Sequence, residues 1–157
     1  MQDINIIYAM LRSDDRQTNL LGMQLAGEVE DLSLLIMPLV KGCIWGNCAK
    51  VLSTKSDEAL EPYLPKLLEW LHDLNWDGAL TILERLKMFS GSKLKIPFIN
   101  AVNCAINSND EDGLMWLDYL SDLLDNAELL VELPEEILVV LKQHYNNWGA
   151  WRDDYND

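Results

Sequence analysis

The stretch from Tyr63 to Leu86, YLPKLLEWLHDLNWDGALTILERL, leaves this chain few folds to choose from. Leu64, Leu67, Leu68 and Leu71 stand at i, i+3, i+4 and i+7, and Trp76, Ala79, Leu80 and Leu83 repeat that spacing after Asp73-Leu74-Asn75. This is the period of a helix with one apolar face, so the spacing predicts two helices. Pro65 suits the first turn of the first helix, where the N–H it lacks has no intrahelical partner to lose. Asn75 can cap the second by accepting from one of its open N–H groups. So short a connection predicts an antiparallel αα-hairpin.

The same period recurs on both sides. Asp3 is placed to cap a helix through Ile7, Met10 and Leu11 that stops at Ser13-Asp14-Asp15. From Arg16 to Asp31, Leu20, Leu21, Leu25, Ala26 and Val29 form one face, with Gly22 and Gly27 weakening the helix or letting a neighbour come close. Leu32 to Val40 is almost wholly apolar and reads as buried, limited by Pro38. A helix follows from Trp45 to Leu52, and Ser56 caps the short turn before the central pair. Beyond a loop at Ser90-Gly91-Ser92, Ile96, Ile99, Val102 and Ile106 make a stripe with Pro97 in its first turn. Asn107-Ser108-Asn109-Asp110 is turn and cap together; the helix from Glu111 to Asn126 then sets Leu114, Leu117, Leu120 and Leu124 inward and Asp118, Asp122 and Asp125 outward. Pro134 opens the last helix, whose buried side is Ile137, Leu138, Leu141 and Tyr145.

No stretch has the period-2 alternation of a strand, so the fold class is all-α. Helix pairs of about 30 to 45 residues with short connections are the signature of a HEAT-like α-solenoid, in which antiparallel helical hairpins stack into one core. A similar pattern 31 residues apart, Trp45, Ala49, Val51, Leu52 against Trp76, Ala79, Ile82, Leu83, hints at an internal repeat. A plain helical bundle explains the same periodicity and is the alternative. Residues 1–147 read as a single helical-repeat domain, and 148–157 as an aromatic, acidic C-terminal tail.

Charge narrows the partners. The chain carries 12 Lys and Arg against 26 Asp and Glu, a net of −14. Phosphate contacts need basic side chains, which argues against nucleic acid and anionic membrane as ligands and favours basic partners. Residues 106–157 hold only Lys142 and Arg152 against thirteen carboxylates, so the last third is an anionic surface. Cys43, Cys48 and Cys104 are an odd number without metal-ligand spacing, consistent with reduced thiols and no zinc site, and the apolar company of Cys43 and Cys48 reads as core. An early Asp and a lone Arg after the apolar run are the wrong order for a signal peptide, and no apolar run reaches bilayer-spanning length. These features predict a cytoplasmic protein.

Chemistry finds little purchase. His72 and His144 are the two histidines. Glu69-Trp70-Leu71-His72 matches one E-x-x-H unit of a di-iron bundle, but Leu141 stands three before His144, so the second unit is missing. His72-Asp73 looks like the dipeptide of metal phosphohydrolases without the further upstream histidine they need, and His72 reads better as a helix-end residue. Glycine-rich phosphate loops and nucleophile elbows do not occur. The expectation is a non-enzymatic protein with no cofactor and no metal. Among the six Trp, Trp45, Trp70, Trp76 and Trp116 lie on or beside apolar stripes and read as core, whereas Trp148 and Trp151 are the candidates for an interface.

The stretch Leu64-Pro65-x-Leu67-Leu68-Glu69-Trp70-Leu71-x-Asp73-x-Asn75-Trp76, with the later Asp112-x-x-x-Trp116-x-x-Tyr119-Leu120, resembles the signature of an uncharacterised family of small bacterial helical proteins of HEAT-like type, over roughly residues 60 to 145. The resemblance implies an immunity protein, an antidote to a cognate toxin. A toxin built to hold phosphate is cationic, so an acidic ridge would steer it and block it. The expected partner-binding residues are Asp118, Asp122, Asp125 and Glu128, with Trp148 and Trp151 as aromatic anchors, and the partner a basic toxin domain. A scaffold or adaptor in a cytoplasmic assembly is the alternative.

Overall fold

The structure, a computed structural model, describes residues 2–144. These residues are helical without a strand: α1 Ile4–Leu11, α2 Arg16–Ala26, α3 Trp45–Ser53, α4 Asp57–Leu60, α5 Leu64–Glu69, α6 Ala79–Lys87, α7 Gly91–Ser108, α8 Glu111–Ser121, α9 Ala127–Glu132 and α10 Glu135–His144. Four 3-10 turns, Leu32–Leu35, Glu61–Tyr63, Trp70–His72 and Asp122–Asp125, join them. Buried side chains from Ile7 in α1 to Leu141 in α10 form one cluster.

Several helix ends are set by the local residues the sequence singles out. Asp3 accepts from the Asn5 N–H at 2.7 Å, and Ser56 Oγ from the Ala59 N–H at 3.1 Å. Asn109 takes the left-handed conformation at φ 50 to end α7, and Asp110 accepts from the Gly113 N–H at 2.8 Å to start α8. Leu64, Leu67, Leu68 and Leu71 are all buried, as their spacing predicts.

The central pair departs from the expected hairpin. α5 packs chiefly on α7 and α6 on α3, with the Trp70–His72 turn joining α6 to the α5 side. α6 begins only at Ala79, because Gly78 takes φ +82, where a Cβ would stand 2.7 Å from the Trp45 carbonyl oxygen. The buried face of α6 is therefore Ala79, Ile82, Leu83 and Leu86; Leu80 is exposed and Trp76 lies outside the helix, 39% exposed.

Other stripes are rotated too. Gly91 and Ser92 start α7 instead of forming a loop, and the glycine lets α7 begin hard against α9, since a Cβ on it would come within 2.3 Å of the Glu128 carbonyl carbon. Pro97 consequently lies inside α7; Leu94, Phe98, Ala101, Val102 and Ala105 are buried, and Ile96 and Ile106 are exposed. α2 stops at Ala26 and meets α1 through Gly22, whose Cβ would fall 2.7 Å from Met10 Cβ, leaving Leu20 and Leu21 exposed. In the apolar segment 32–40, Leu32, Leu35 and Ile36 are buried but Leu39 is 97% exposed.

Beyond α8 the Asp122–Asp125 turn tightens from 3.6 to about 3 residues per turn, which buries Leu123 fully and leaves Leu124 partly buried. Asn126 locks this joint. Its Nδ2 donates to the Leu86 and Phe89 carbonyls at 3.0 and 2.9 Å, and its Oδ1 accepts from the Leu129 N–H at 3.1 Å. One buried amide thus closes the end of α6 and caps α9.

Candidate functional site

The anionic surface differs from the predicted ridge. Asp118 is buried, not outward: α10 packs against α8, and His144 Nε2 lies 3.8 Å from Asp118 Oδ1. A helix with neighbours on two sides buries more than one stripe, which is why helical spacing alone misplaced it. Asp122 is half-buried, and desolvation lifts its carboxyl above the usual range against the opposing pull of Lys87. Asp125 is exposed and lies 3.3 Å from Lys87 Nζ, which also meets Glu84 at 3.1 Å. Glu128 is exposed. Trp148 and Trp151 lie outside the described residues, as does Tyr145.

The exposed anionic face is built instead on α9 and α10. Glu128, Val131 and Glu132 share a face at i, i+3 and i+4, and on the next helix Val139 stands four residues after Glu135 and three after Glu136, within reach of both. All six are exposed, Val131 at 81%. Lys142 is the sole basic residue between 106 and 144.

A second surface gathers around an aromatic cluster. Trp70 is fully buried, and its Nε1 donates to the Asp77 carbonyl at 3.0 Å. Trp45 stands edge-on to both Trp70 and Trp76, with ring centroids 6.1 and 5.9 Å apart. His72 stacks on Trp116 at 3.8 Å and on the far side approaches Trp76 at 6.4 Å. Trp116 Nε1 donates to the Leu68 carbonyl at 3.0 Å, fixing that ring in turn.

Asp77 ties the cluster to α3. No side chain of α3's own N-cap, Ile44, bonds its open amides; the Asp77 carboxylate accepts from the Gly46 N–H at 2.9 Å and from Cys43 Sγ at 3.1 Å. Gly46 makes this possible, since a Cβ there would sit 2.7 Å from Asp77 Oδ1. Cys43 is exposed, not core, and its bond to Asp77 raises its thiol pKa; Cys48 is buried, and burial pushes its thiol up to about 12.

The outer wall is the segment 36–43, bent by left-handed backbone at Met37 (φ 45) and Gly42 (φ 81). Arg12 Nη1 bonds the Lys41 carbonyl at 2.5 Å and Trp45 Nε1 the Pro38 carbonyl at 3.0 Å. Between wall and cluster lie adjoining hollows of about 810 and 620 Å³ that share Leu39, Trp45 and Trp76. A third of about 410 Å³ shares Trp76 with both and His72 with the second, with Asp73, Asp110 and Asp112 in its lining. Assigning Trp76 to the core missed this cleft. The Asp77-Gly78 dipeptide after it is a turn signal that could have placed Trp76 before the helix.

His72 is half-buried and His144 buried, and burial lowers each imidazole below its ordinary value of 6.5, with Glu69 and Asp112 pulling His72 the other way. The unfolded chain then binds more protons than the folded one as pH falls below about 6.5. Stability should be full above that pH and drop as acidification runs down toward the folded-state values. Urea midpoints at pH 7.5 and 5.5 check this, and the loss should shrink in a His72→Gln, His144→Gln double variant. An equal loss there would assign it to other groups.

The described residues define an all-helical protein with no helix long and apolar enough to cross a membrane. Residues 47–147 match the model of a family described as a domain of unknown function, DUF5071, and the chain belongs to that family. The match takes in the whole stretch carrying the LPxLLEWL resemblance and leaves α1 and α2 outside it. No curated protein and no solved structure matches the chain.

Proposed function

We propose that this protein is a non-enzymatic binding module that captures a basic protein partner, and that it serves as an immunity protein neutralising a cognate bacterial toxin. The carrying observation is the exposed acidic side of α9 and of α10, where Val131 stands beside Glu128 and Glu132 and Val139 beside Glu135 and Glu136. Apolar side chains ringed by like charges suit a partner that brings both apolar contact and cations. A short HEAT-like stack of helical pairs is the architecture that goes with this reading, since such stacks present extended surfaces to partners. Neutralisation here is occlusion: the anionic face draws in the cationic site and covers it, without chemistry.

Capture of partners from a lysate of the source organism on the immobilised full chain, eluted stepwise with salt, tests the reading. A single basic partner released by moderate salt supports it. An abundant, salt-resistant partner favours the scaffold alternative. With the partner in hand, Glu128→Lys combined with Glu135→Lys should slow association about tenfold at low ionic strength and flatten its salt dependence. Unchanged stopped-flow kinetics would remove this face from the interface.

A further inference from the structure

Trp76 is the one side chain common to the linings of all three hollows of the aromatic cleft. It stands between them as a ridge, 39% exposed, with the almost fully exposed Leu39 across from it. A small ligand prefers one concavity that encloses most of its surface. Hollows set around a central ring instead suit a polypeptide whose successive side chains drop on either side of it. Charge narrows the occupant further. Glu69, Asp73, Asp77, Asp110 and Asp112 line these hollows against Lys41 and Lys66, so the rim is net anionic.

We infer that this cleft docks a segment of a protein partner in which an arginine or lysine is flanked by apolar residues, the cation resting at Trp76 among the carboxylates and the apolar flanks at Trp45 and Leu39. An aromatic face attracts a cation, and neighbouring carboxylates offer guanidinium or ammonium its hydrogen bonds. The groove is pre-organised by bonds already described: Trp45 to the 38 carbonyl, Trp70 to the 77 carbonyl and Arg12 to the 41 carbonyl. Little order remains to be imposed on binding. Trp76 itself is flanked by the Trp45 and His72 rings, and Trp is among the residue types enriched at interface hot spots.

The inference rests on the reading of the protein as a binder of basic partners and names a second contact for it.

The test is selection of a phage-displayed random dodecapeptide library on the immobilised full-length protein, followed by fluorescence titration of the enriched peptides. Enriched peptides should carry Arg or Lys within two positions of an aromatic or aliphatic residue. Their Kd should weaken about tenfold or more with Trp76→Ala and with Leu39→Arg, the latter placing a like charge at a position whose exposure leaves the fold intact. Kd should stay within about twofold in the Glu128→Lys, Glu135→Lys variant. No enrichment over an unrelated acidic protein, peptides without a basic residue, or indifference to Leu39→Arg would each overturn the inference. Peptides that respond only to the α9–α10 charges would overturn it while leaving the proposed function standing.

Discussion

Replacing Trp70 by alanine should lower the free energy of unfolding by about 4 kcal/mol, within the range for deleting a buried Trp. The ring is fully buried and contributes three things at once: apolar contact, the edge of the Trp45 pair, and the Nε1 donor to the Asp77 carbonyl. Gly78 borders the ring, since a Cβ added there would stand 3.0 Å from Trp70 Cζ2, and its left-handed backbone, φ +82, limits how far that turn can move into the gap. Domains of this size are stable by on the order of 5–15 kcal/mol, so the variant should be marginal. Trp70→Phe separates the contributions: it keeps most of the ring and loses the donor, and should cost about 1–3 kcal/mol from the unsatisfied carbonyl and lost volume. Urea unfolding followed by far-UV circular dichroism measures both. A loss below about 1 kcal/mol for the alanine variant would show that the aromatic cluster repacks and does not form a rigid floor for the cleft.

The second large effect is expected at Asn126, where alanine should cost about 3 kcal/mol. Removing the amide strips the α9 cap, worth roughly 1 kcal/mol. It also leaves the Leu86 and Phe89 carbonyls without that donor, at about 1–3 kcal/mol for a buried group. Asn126→Asp discriminates between the halves, because aspartate caps a helix as well as asparagine does but turns an ionised acceptor toward two carbonyls. At neutral pH it should destabilise at least as much as alanine. Its folded-state pKa should rise, so the penalty grows as pH climbs above about 4 and fades below it, where the carboxyl is protonated in both states. An Asn126→Asp protein as stable as the parent at pH 7 would show that capping alone accounts for the residue. The joint matters beyond stability, since it holds the start of the α9 face that carries Glu128 and Val131.

Legibility divided along physical lines. Asp3, Ser56, Asn109 and Asp110 act on backbone groups within a few residues, so local sequence suffices to place them. Asp77, as an acceptor, and Asn126, as a donor, also complete helix ends, but of helices about 30 and 40 residues away, and no local pattern marks such a partner. Asp118 is the clearest case at the candidate site. Its spacing with Asp122 and Asp125 describes a correct helical ridge until α10 covers part of it. The acidity of the last third was readable from composition; which of its carboxylates face water was not. The aromatic cleft was hidden because Trp76 falls on the leucine stripe by spacing, and the turn at Gly78 takes it out of the helix.

The sequence by itself determined that the described residues are helical, where some of the caps lie, at Asp3, Ser56, Asn109 and Asp110 but not at Asn75, and that the C-terminal third is anionic, because periodicity, capping chemistry and charge count are local or additive properties. Only the tertiary structure decided which helix packs on which, with α5 on α7 and α6 on α3, and therefore which face of each helix is the inner one. That choice depends on where two backbones can approach, at Gly22, Gly78 and Gly91, and on contacts between residues far apart in the chain. It turned Asp118 inward and left Trp76 and Leu39 facing solvent.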